Sequence, residues 1–381
     1  MISLKLDKHL GTRLFLIALF LIPLTLAFAT PVAADSDDND DDNEARNAVY
    51  TISNAAGGNE VLVYDRAADG SLTFQAAYAT DGLGSGAGLG SQGAVILSEN
   101  QRWLFVVNAG SNQISSFAVK KNGLELVDVV DSGGVQPISL TIHGRVLYVV
   151  NAGDPANITG FRVRNNGKLR LLDGSTQPLS AAAPGPAQIS FDPEGNTLVV
   201  TEKMTNLIVT YSVDDGIAGP PETHPSAGQT PFGFAFNQRN YLIVSEAFGG
   251  ASDASALSSY KIEEDEFELV SASVGTTQTA ACWVVISRNG KYAYTTNTGS
   301  SSISSYRIGK NGELTLLDAQ AGLTGDGSSP IDMALNSNGK FLYAIAGGTN
   351  TISIFRVKAN GSLELLGAVD VPPGSVGLAA N

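Results

Sequence analysis

The chain has 381 residues, a formal net charge of −14 and a single cysteine, Cys282. The excess of acid argues against nucleic acid and anionic membrane surfaces as partners, and one cysteine excludes an intrachain disulfide. Hydrophobic residues make up 43% of the chain, which is enough to build a large folded core.

The first 34 residues have the pattern of a secretory signal peptide. A basic segment containing Lys5, Lys8 and Arg13 precedes an apolar run, and Val32-Ala33-Ala34 fits a small-residue cleavage site. We therefore predict a secreted or periplasmic protein whose mature chain starts near Asp35 and no longer contacts the membrane. The alternative is an uncleaved anchor, because residues 14–33 carry no charge.

Residues 35–47 are predicted to be an acidic, disordered linker. Seven carboxylates lie between Asp35 and Glu44, and such a block repels itself and stays solvated. It lacks the glycine and glutamate of an EF-hand loop. The folded domain is predicted over residues 48–381.

A strand–turn–strand pattern repeats through this domain. In Asn338–Leu366, two apolar runs alternate with Asn-Gly pairs, and Asn338-Gly339 predicts a two-residue type I′ hairpin turn. The same pattern returns every 44 to 53 residues around one aromatic residue, in seven copies: Tyr64, Phe117, Phe161, Tyr211, Tyr260, Tyr306 and Phe355. This period is typical of propeller blades. We predict an all-β, seven-bladed β-propeller of four-stranded antiparallel blades.

Two departures from the repeat are informative. Six copies follow the aromatic with an Asn-Gly or Asp-Gly turn, but the fifth has Glu264-Asp265. The first copy begins at its second strand, whereas the last is followed by an extra strand-like segment, Val376–Ala380. We predict that this C-terminal strand completes blade one and closes the ring, which removes free sheet edges.

Long and glycine-rich connections, such as residues 81–91, fall on the face opposite the hairpin turns, where sites are usually found. The last residue of each second strand should form a ring at this end of the central channel, the channel mouth. The ring consists of Ser53 (or Asn54), Asn108, Asn151, Glu202, Glu246, Asn297 and Ala346. We predict Glu202 and Glu246 as catalytic acid and base, and Asn108, Asn151, Lys203 and Asn297 as ligand-binding residues.

Other interpretations of this ring remain open. Asparagine at a strand end is often a turn residue that bonds its own backbone. The carboxylates and amide oxygens could bind a divalent cation, Ca²⁺ or Mg²⁺, since such ions take oxygen ligands. Lys203 could instead neutralise Glu202. Histidine is scarce: His143 is expected on the opposite-face turn and His224 in an exposed loop, and no Ser-His-Asp arrangement is visible.

The repeat P-x-x-[IMV]…NGK-x-LY…I-x-x-[YF]-x-V…NG-x-L-x-L resembles that of the lactonase-type seven-bladed propellers, the 6-phosphogluconolactonase-like and carboxymuconate-lactonising family. The resemblance covers residues 48–381 and implies lactone hydrolysis by His, Arg and Glu at the channel mouth. Where the family's histidine motif would fall, this chain has Ser91-Gln92-Gly93-Ala94, and no arginine occurs in the ring.

Two functional hypotheses follow. The first is a secreted lactonase-like hydrolase of sugar or related lactones, with a lactone as its small-molecule partner. The second is a non-catalytic extracellular or periplasmic propeller that binds a small ligand, a cation or a protein. In either case we expect a monomer.

Overall fold

The computed structural model describes residues 47–263 and 266–381, which form seven antiparallel sheets. The predicted signal peptide and nearly all of the acidic linker lie outside these residues. None of the helices in the described part of the chain is long and apolar enough to cross a membrane.

Each sheet is one blade, and the seven-bladed, all-β architecture is confirmed. Blade 1 contains β1 (Ala48–Ile52), β2 (Glu60–Arg66), β3 (Leu72–Ala79) and β30 (Val376–Ala380). Blade 2 contains β4 (Val95–Leu97), β5 (Trp103–Asn108), β6 (Gln113–Lys120) and β7 (Gly123–Asp131). Blade 3 contains β8 (Pro137–His143), β9 (Val146–Asn151), β10 (Asn157–Val163), β11 (Leu169–Leu171) and β12 (Gln177–Pro178). Blade 4 contains β13 (Pro186–Phe191), β14 (Thr197–Glu202), β15 (Leu207–Asp214), β16 (Ile217–Ala218) and β17 (Glu222–Pro225).

The remaining three blades each have four strands. Blade 5 contains β18 (Pro231–Phe236), β19 (Tyr241–Glu246), β20 (Ala256–Glu263) and β21 (Glu266–Gly275). Blade 6 contains β22 (Ala281–Ile286), β23 (Tyr292–Asn297), β24 (Ser302–Ile308) and β25 (Leu314–Leu323). Blade 7 contains β26 (Pro330–Leu335), β27 (Phe341–Ala346), β28 (Thr351–Val357) and β29 (Leu363–Asp370). Short 3₁₀ helices follow β19 (Phe248–Gly250) and β23 (Thr298–Ser300).

The innermost strands surround the channel in one ring, in the order β30, β4, β8, β13, β18, β22 and β26, each in contact with the next. The predicted closure by the C-terminal strand is confirmed, because β30 pairs with β1 through Val49↔Ala380 and Ile52↔Val376. Beyond the strand, Asn381 Oδ1 accepts a 2.7 Å hydrogen bond from the backbone N–H of Ala48. One sheet therefore joins the two ends of the described chain.

The repeated aromatics bind neighbouring blades together. All seven are at most 2% exposed. The Tyr64 hydroxyl donates to the carbonyl oxygen of Asp370 at 3.0 Å, and the Tyr306 hydroxyl donates to that of Val274 at 2.9 Å. In both cases the acceptor is at the outer edge of the preceding blade. All seven rings contribute buried apolar area to the core. Where the residue is a tyrosine, its hydroxyl bond also fixes the position of one blade relative to the next.

The predicted type I′ turn at Asn338-Gly339 is wrong. Gly339 has φ of 69° but Asn338 is not left-handed, and the Gly339 N–H bonds the Asn336 carbonyl at 2.8 Å. The connection from β26 to β27 spans five residues, 336–340, instead of two. In a connection of this length only the glycine adopts the left-handed conformation, after a turn with ordinary φ angles. Both positive φ angles of a type I′ turn occur instead at Asp215-Gly216, with 53° and 84°.

Candidate functional site

A backbone segment crosses the channel at its loop-bearing end. This segment, residues 90–94, precedes β4 of blade 2 but bonds to blades 3, 4 and 6. The Gln92 N–H donates to Ala187 O at 3.1 Å, and Gly93 O accepts from the Leu140 N–H at 2.8 Å. The Gln92 side chain donates to Val284 O at 3.0 Å and accepts from the Val284 N–H at 3.1 Å. We call residues 90–94 the channel plug.

The plug contains the position where the resemblance implied a histidine. Ser91 Oγ donates to Ile138 O at 2.8 Å, and Ser91 O accepts from Trp283 Nε1 at 2.9 Å. Gly93 has φ of 83°, and a Cβ at this residue would lie 3.1 Å from Ser139 Oγ. These groups are committed to internal bonds, so this segment closes the channel instead of presenting an acid or base to it.

Lys203 lies beside the plug and links it to blade 4. Its Nζ donates to Gly90 O at 2.6 Å and to Pro186 O at 2.9 Å. The same nitrogen is 4.7 Å from the centre of the Phe232 ring, a cation–π distance. An ammonium group has three N–H donors, so one of them has no hydrogen-bond acceptor among the described residues.

Burial changes the acid–base behaviour of Lys203. Desolvation of the ammonium lowers the pKa of Lys203 to about 8, although the nearby Cys282 thiol has the opposite influence. The group therefore titrates close to physiological pH, which an exposed lysine does not do.

Apolar side chains surround this cation. Phe232 and Trp283 have ring centres 5.0 Å apart, and Trp283 packs in one cluster with Cys282 and Ala247, next to the partly buried Ile331. The channel mouth thus combines an apolar wall with one ammonium group and the backbone of the plug. Such a surface suits a small molecule with an apolar or ring portion and one electron-rich oxygen.

Glu202 does not face the channel mouth. The residue is fully buried, and its carboxylate accepts from the Ser180 N–H at 3.0 Å, from the Ser180 hydroxyl and from Thr205 Oγ1 at 2.6 Å. Ser180 belongs to the connection from blade 3 to blade 4. The carboxylate therefore anchors that connection at the end of β14, and Lys203 bonds elsewhere instead of neutralising it.

Glu246 has a separate set of partners. Its carboxylate accepts from Ser258 Oγ at 2.5 Å, from Ser273 Oγ at 2.6 Å and from the Gly228 N–H at 2.8 Å. Burial raises the pKa of Glu246, and these hydrogen bonds oppose the rise. The expectation that Glu202 and Glu246 share an open mouth is wrong, since each is buried among its own partners.

The predicted amides are also buried, so their expected place in a ring open to ligand is wrong. Asn108 accepts from Thr80 Oγ1 at 2.7 Å, within the connection between blades 1 and 2. Asn151 donates to Asn157 Oδ1 at 2.8 Å, and Asn297 donates to Ser304 Oγ at 2.9 Å. These strand-end amides therefore bond neighbouring strands and connections within the protein.

Metal binding finds no support in the described residues. No three side chains of His, Cys, Asp or Glu come together there as a group that could hold a metal ion. Because Glu202 and Glu246 are separated, the expected Ca²⁺ or Mg²⁺ site at the mouth lacks its carboxylate pair.

Asp332 is a buried acid that sequence reasoning missed. It lies on β26, where Oδ1 accepts from the Met333 N–H at 2.7 Å and Oδ2 has no hydrogen-bond partner in the part of the chain that the structure describes. Burial raises the pKa of Asp332 well above its ordinary value. Comparison of the repeats could have revealed it, because the equivalent position in blades 3 and 4 holds the uncharged residues Ser139 and Gln188.

A second concavity is far from the channel mouth, between blades 4 and 5. This inter-blade cleft has a volume of about 1170 Å³, and its lining includes Thr197, Thr210, Glu222, His224, Arg239 and Phe267. His224 was expected in an exposed loop, which is wrong: it lies on β17, half-buried, and stacks on Phe267. His143 lies at the end of β8, 3.7 Å from Glu99 Oε1.

Known proteins share this sequence pattern and this fold. Three overlapping segments of the chain, residues 44–183, 157–273 and 264–376, match the family described as "Lactonase, 7-bladed beta-propeller". A probable 6-phosphogluconolactonase of Arthroderma benhamiae is 24% identical over 251 residues, which is 58% of this chain and 63% of that protein. The chain therefore matches less than two thirds of that relative's length.

Solved structures agree on the fold. A putative 6-phosphogluconolactonase from Bacteroides fragilis superposes with a TM-score of 0.66 at 19% identity, covering 87% of this chain and 97% of that one. A periplasmic gluconolactonase from Pseudomonas aeruginosa superposes with a TM-score of 0.63 at 16% identity, covering 87% and 98%. At these identities the likeness concerns the architecture alone.

Proposed function

Since the chain belongs to the lactonase family of seven-bladed β-propellers, we propose that it binds and hydrolyses a sugar lactone or a related cyclic ester at the channel mouth. The names of its relatives, 6-phosphogluconolactonase and gluconolactonase, indicate the substrate class.

The observation that carries this proposal is the Lys203 ammonium, which makes two hydrogen bonds and leaves one N–H without a hydrogen-bond acceptor among the described residues. Lactone hydrolysis adds a water oxygen to the carbonyl carbon, breaks the ring C–O bond and yields a hydroxy acid. Negative charge develops on the carbonyl oxygen in the transition state. A fixed ammonium group in a poorly hydrated wall stabilises that charge, and it also attracts the phosphate or carboxylate of an anionic substrate.

A non-catalytic propeller that binds a small ligand is the second candidate, and the plug favours it. Gln92 pairs with both backbone groups of Val284, and neither glutamate lies free at the mouth. Binding at Lys203 without turnover would then be the function. A cation or protein ligand has no comparable support among the described residues.

The deciding experiment is a hydrolysis assay of the mature protein against 6-phosphogluconolactone, glucono-1,5-lactone and a γ-lactone, with and without EDTA. We expect a rate above spontaneous opening that EDTA does not change. Binding of the hydroxy-acid product without turnover would support the second candidate. Neither turnover nor binding with any of these compounds would contradict both.

We also propose export from the cytoplasm, supported by the residue pattern at positions 1–34. Mass spectrometry of the protein from its native host should find an N-terminus close to Asp35. A chain that still begins with Met1 and sediments with membranes would identify an anchor instead.

A further inference from the structure

The inter-blade cleft occurs where a repeated packing motif is missing. At five blade boundaries, a turn glycine of one blade covers the first residue of the second strand in the preceding blade, so closely that a Cβ would overlap with it. The pairs are Gly70 on Phe341, Gly167 on Trp103, Gly216 on Val146, Gly312 on Tyr241 and Gly361 on Tyr292. At the boundary of blades 1 and 2, Gly123 covers Tyr78 in a similar way.

The boundary between blades 4 and 5 has neither partner of this motif. The first residue of β14 is Thr197, which is small, and the fifth copy has Glu264-Asp265 where six copies have a turn glycine. The outer strand of blade 4 is also interrupted by Gly219-Pro220-Pro221, between β16 and β17. The space that a ring fills at Tyr241 and Tyr292 is therefore open at Thr197, which lines the cleft of about 1170 Å³.

An aromatic pair forms one side of the cleft. The rings of His224 and Phe267 are stacked, with centres 4.2 Å apart and an angle of 11° between their planes. The His224 Nε2 atom is 2.8 Å from Thr210 Oγ1, a hydrogen bond that fixes the ring. Burial lowers the pKa of His224, so the imidazole is largely neutral at pH 7 and presents an uncharged π face.

Polar groups of both hydrogen-bonding types surround this pair. Glu194 and Glu222 line the cleft, are exposed and make no ion pair within the described residues, so they are free acceptors. Arg239 and Lys261 supply donors, although Lys261 pairs with Glu263 at 3.1 Å. Threonine hydroxyls at 197 and 210 can donate or accept.

We propose that this cleft binds a neutral saccharide, in a site distinct from the channel mouth. A sugar ring offers a C–H face to an aromatic side chain and a rim of hydroxyls that both donate and accept. Asp192, Glu263 and Glu266 also line the cleft, so carboxylates outnumber the two cations and disfavour an anion. A polycation would meet Arg239 and Lys261. No group of three metal-ligating side chains occurs among the described residues. At about 1170 Å³, the cleft is slightly larger than the usual small-ligand site of about 300–1,000 Å³.

Two variants test the site without touching Lys203. Thr197→Tyr restores the ring found at Tyr241 and Tyr292 in the following blades and should fill the cleft. His224→Ala removes the π face. Thr73→Tyr, an exposed position on the outer strand of blade 1, is the matched control for an added ring, and Lys203→Met is the control for the channel mouth.

The probes are glucose, cellobiose and maltose, measured by saturation-transfer NMR and calorimetry, with spermidine as the cationic comparison. We expect at least one saccharide to bind, and each cleft variant to weaken binding by about tenfold or more, while Thr73→Tyr and Lys203→Met leave it unchanged. The absence of saccharide binding, binding that survives His224→Ala, binding lost with Lys203→Met, or cleft-dependent binding of spermidine alone would each overturn the proposal. If Thr197→Tyr fails to fold, His224→Ala decides.

Discussion

Lys203 Nζ donates a 2.6 Å hydrogen bond to the carbonyl oxygen of Gly90, although the two residues are 113 positions apart in the chain. This bond connects the end of the second strand in blade 4 to the plug that precedes blade 2. The ammonium group that bonds the plug therefore also stabilises the structure of the channel mouth. Its protonation should influence both the stability and the chemistry of that region.

The first prediction concerns the pH dependence of stability at Lys203. Its folded-state pKa of about 8 is below the usual lysine value of 10.5, so the unfolded state binds the proton more tightly. Stability from this group is therefore reduced below about pH 8 and recovers as pH rises toward 10.5. The free energy of unfolding of the wild type relative to Lys203→Met should increase between pH 7.5 and 10 in denaturant titrations.

Lys168→Met serves as the control for that series, because Lys168 is exposed on a turn of blade 3. A flat difference for Lys203→Met would contradict a desolvated ammonium at this site.

The second prediction separates structural from catalytic roles of the two buried glutamates. Glu246→Gln replaces one acceptor oxygen with an NH₂ group beside Ser258, Ser273 and Gly228, and we expect a loss of about 1–3 kcal/mol in the free energy of unfolding. Glu202→Gln should behave alike. A loss of stability alone would indicate a structural role. The predicted catalytic role requires that activity also falls in variant protein that remains folded. Urea unfolding and specific activity should be measured together, with exposed Glu60→Gln as control.

The third prediction concerns ring closure. Removing residues 373–381 deletes β30, the innermost strand of blade 1, and leaves β1 and the neighbouring innermost strands exposed. We expect aggregation or a large fall in Tm. The milder Asn381→Ala should cost about 1–2 kcal/mol through the lost bond to Ala48, whereas exposed Asn122→Ala should cost little. A soluble truncated protein with an unchanged Tm would contradict closure by this strand.

The fourth prediction concerns Asp332. Because burial raises its folded-state pKa, its contribution to stability is fully present below the unfolded pKa of about 3.8 and is lost as pH rises through the folded value. Asp332→Asn removes this titration, so the variant should gain stability relative to the wild type between pH 4.5 and 7.5. The matched control, exposed Asp326→Asn, should show no such trend. A constant difference for Asp332→Asn would mean that the acid is solvated.

Much of the fold could be predicted because the signal repeats. The number of blades followed from the seven repeated aromatics, from Tyr64 to Phe355. Ring closure followed from the extra C-terminal strand, Val376–Ala380, and neither prediction needed knowledge of contacts. Turn geometry was less accessible: Asn338-Gly339 suggested type I′ because the length of the connection could not be read from the dipeptide.

The site was harder to predict, since side-chain direction at a strand end is decided by tertiary partners. Glu202 and Glu246 lie at equivalent positions, as expected, but Ser180 in the preceding connection and Ser258 on the neighbouring strand β20 hydrogen-bond their carboxylates. The crossing of the channel by Gln92 depends on a contact with Val284, 192 residues away, which no local pattern encodes. The fifth-copy departure at Glu264-Asp265 was visible in the sequence, whereas the inter-blade cleft lined by Thr197 was not.

The most direct test of the proposed lactonase function is the ratio of kcat/KM for the wild type and Lys203→Met with 6-phosphogluconolactone at pH 7. If the ammonium stabilises the developing oxyanion, the variant should lose about 10²- to 10³-fold in kcat/KM, while Lys168→Met keeps wild-type activity. Equal kcat/KM values for the wild type and Lys203→Met, with both proteins folded, would contradict catalysis at the channel mouth.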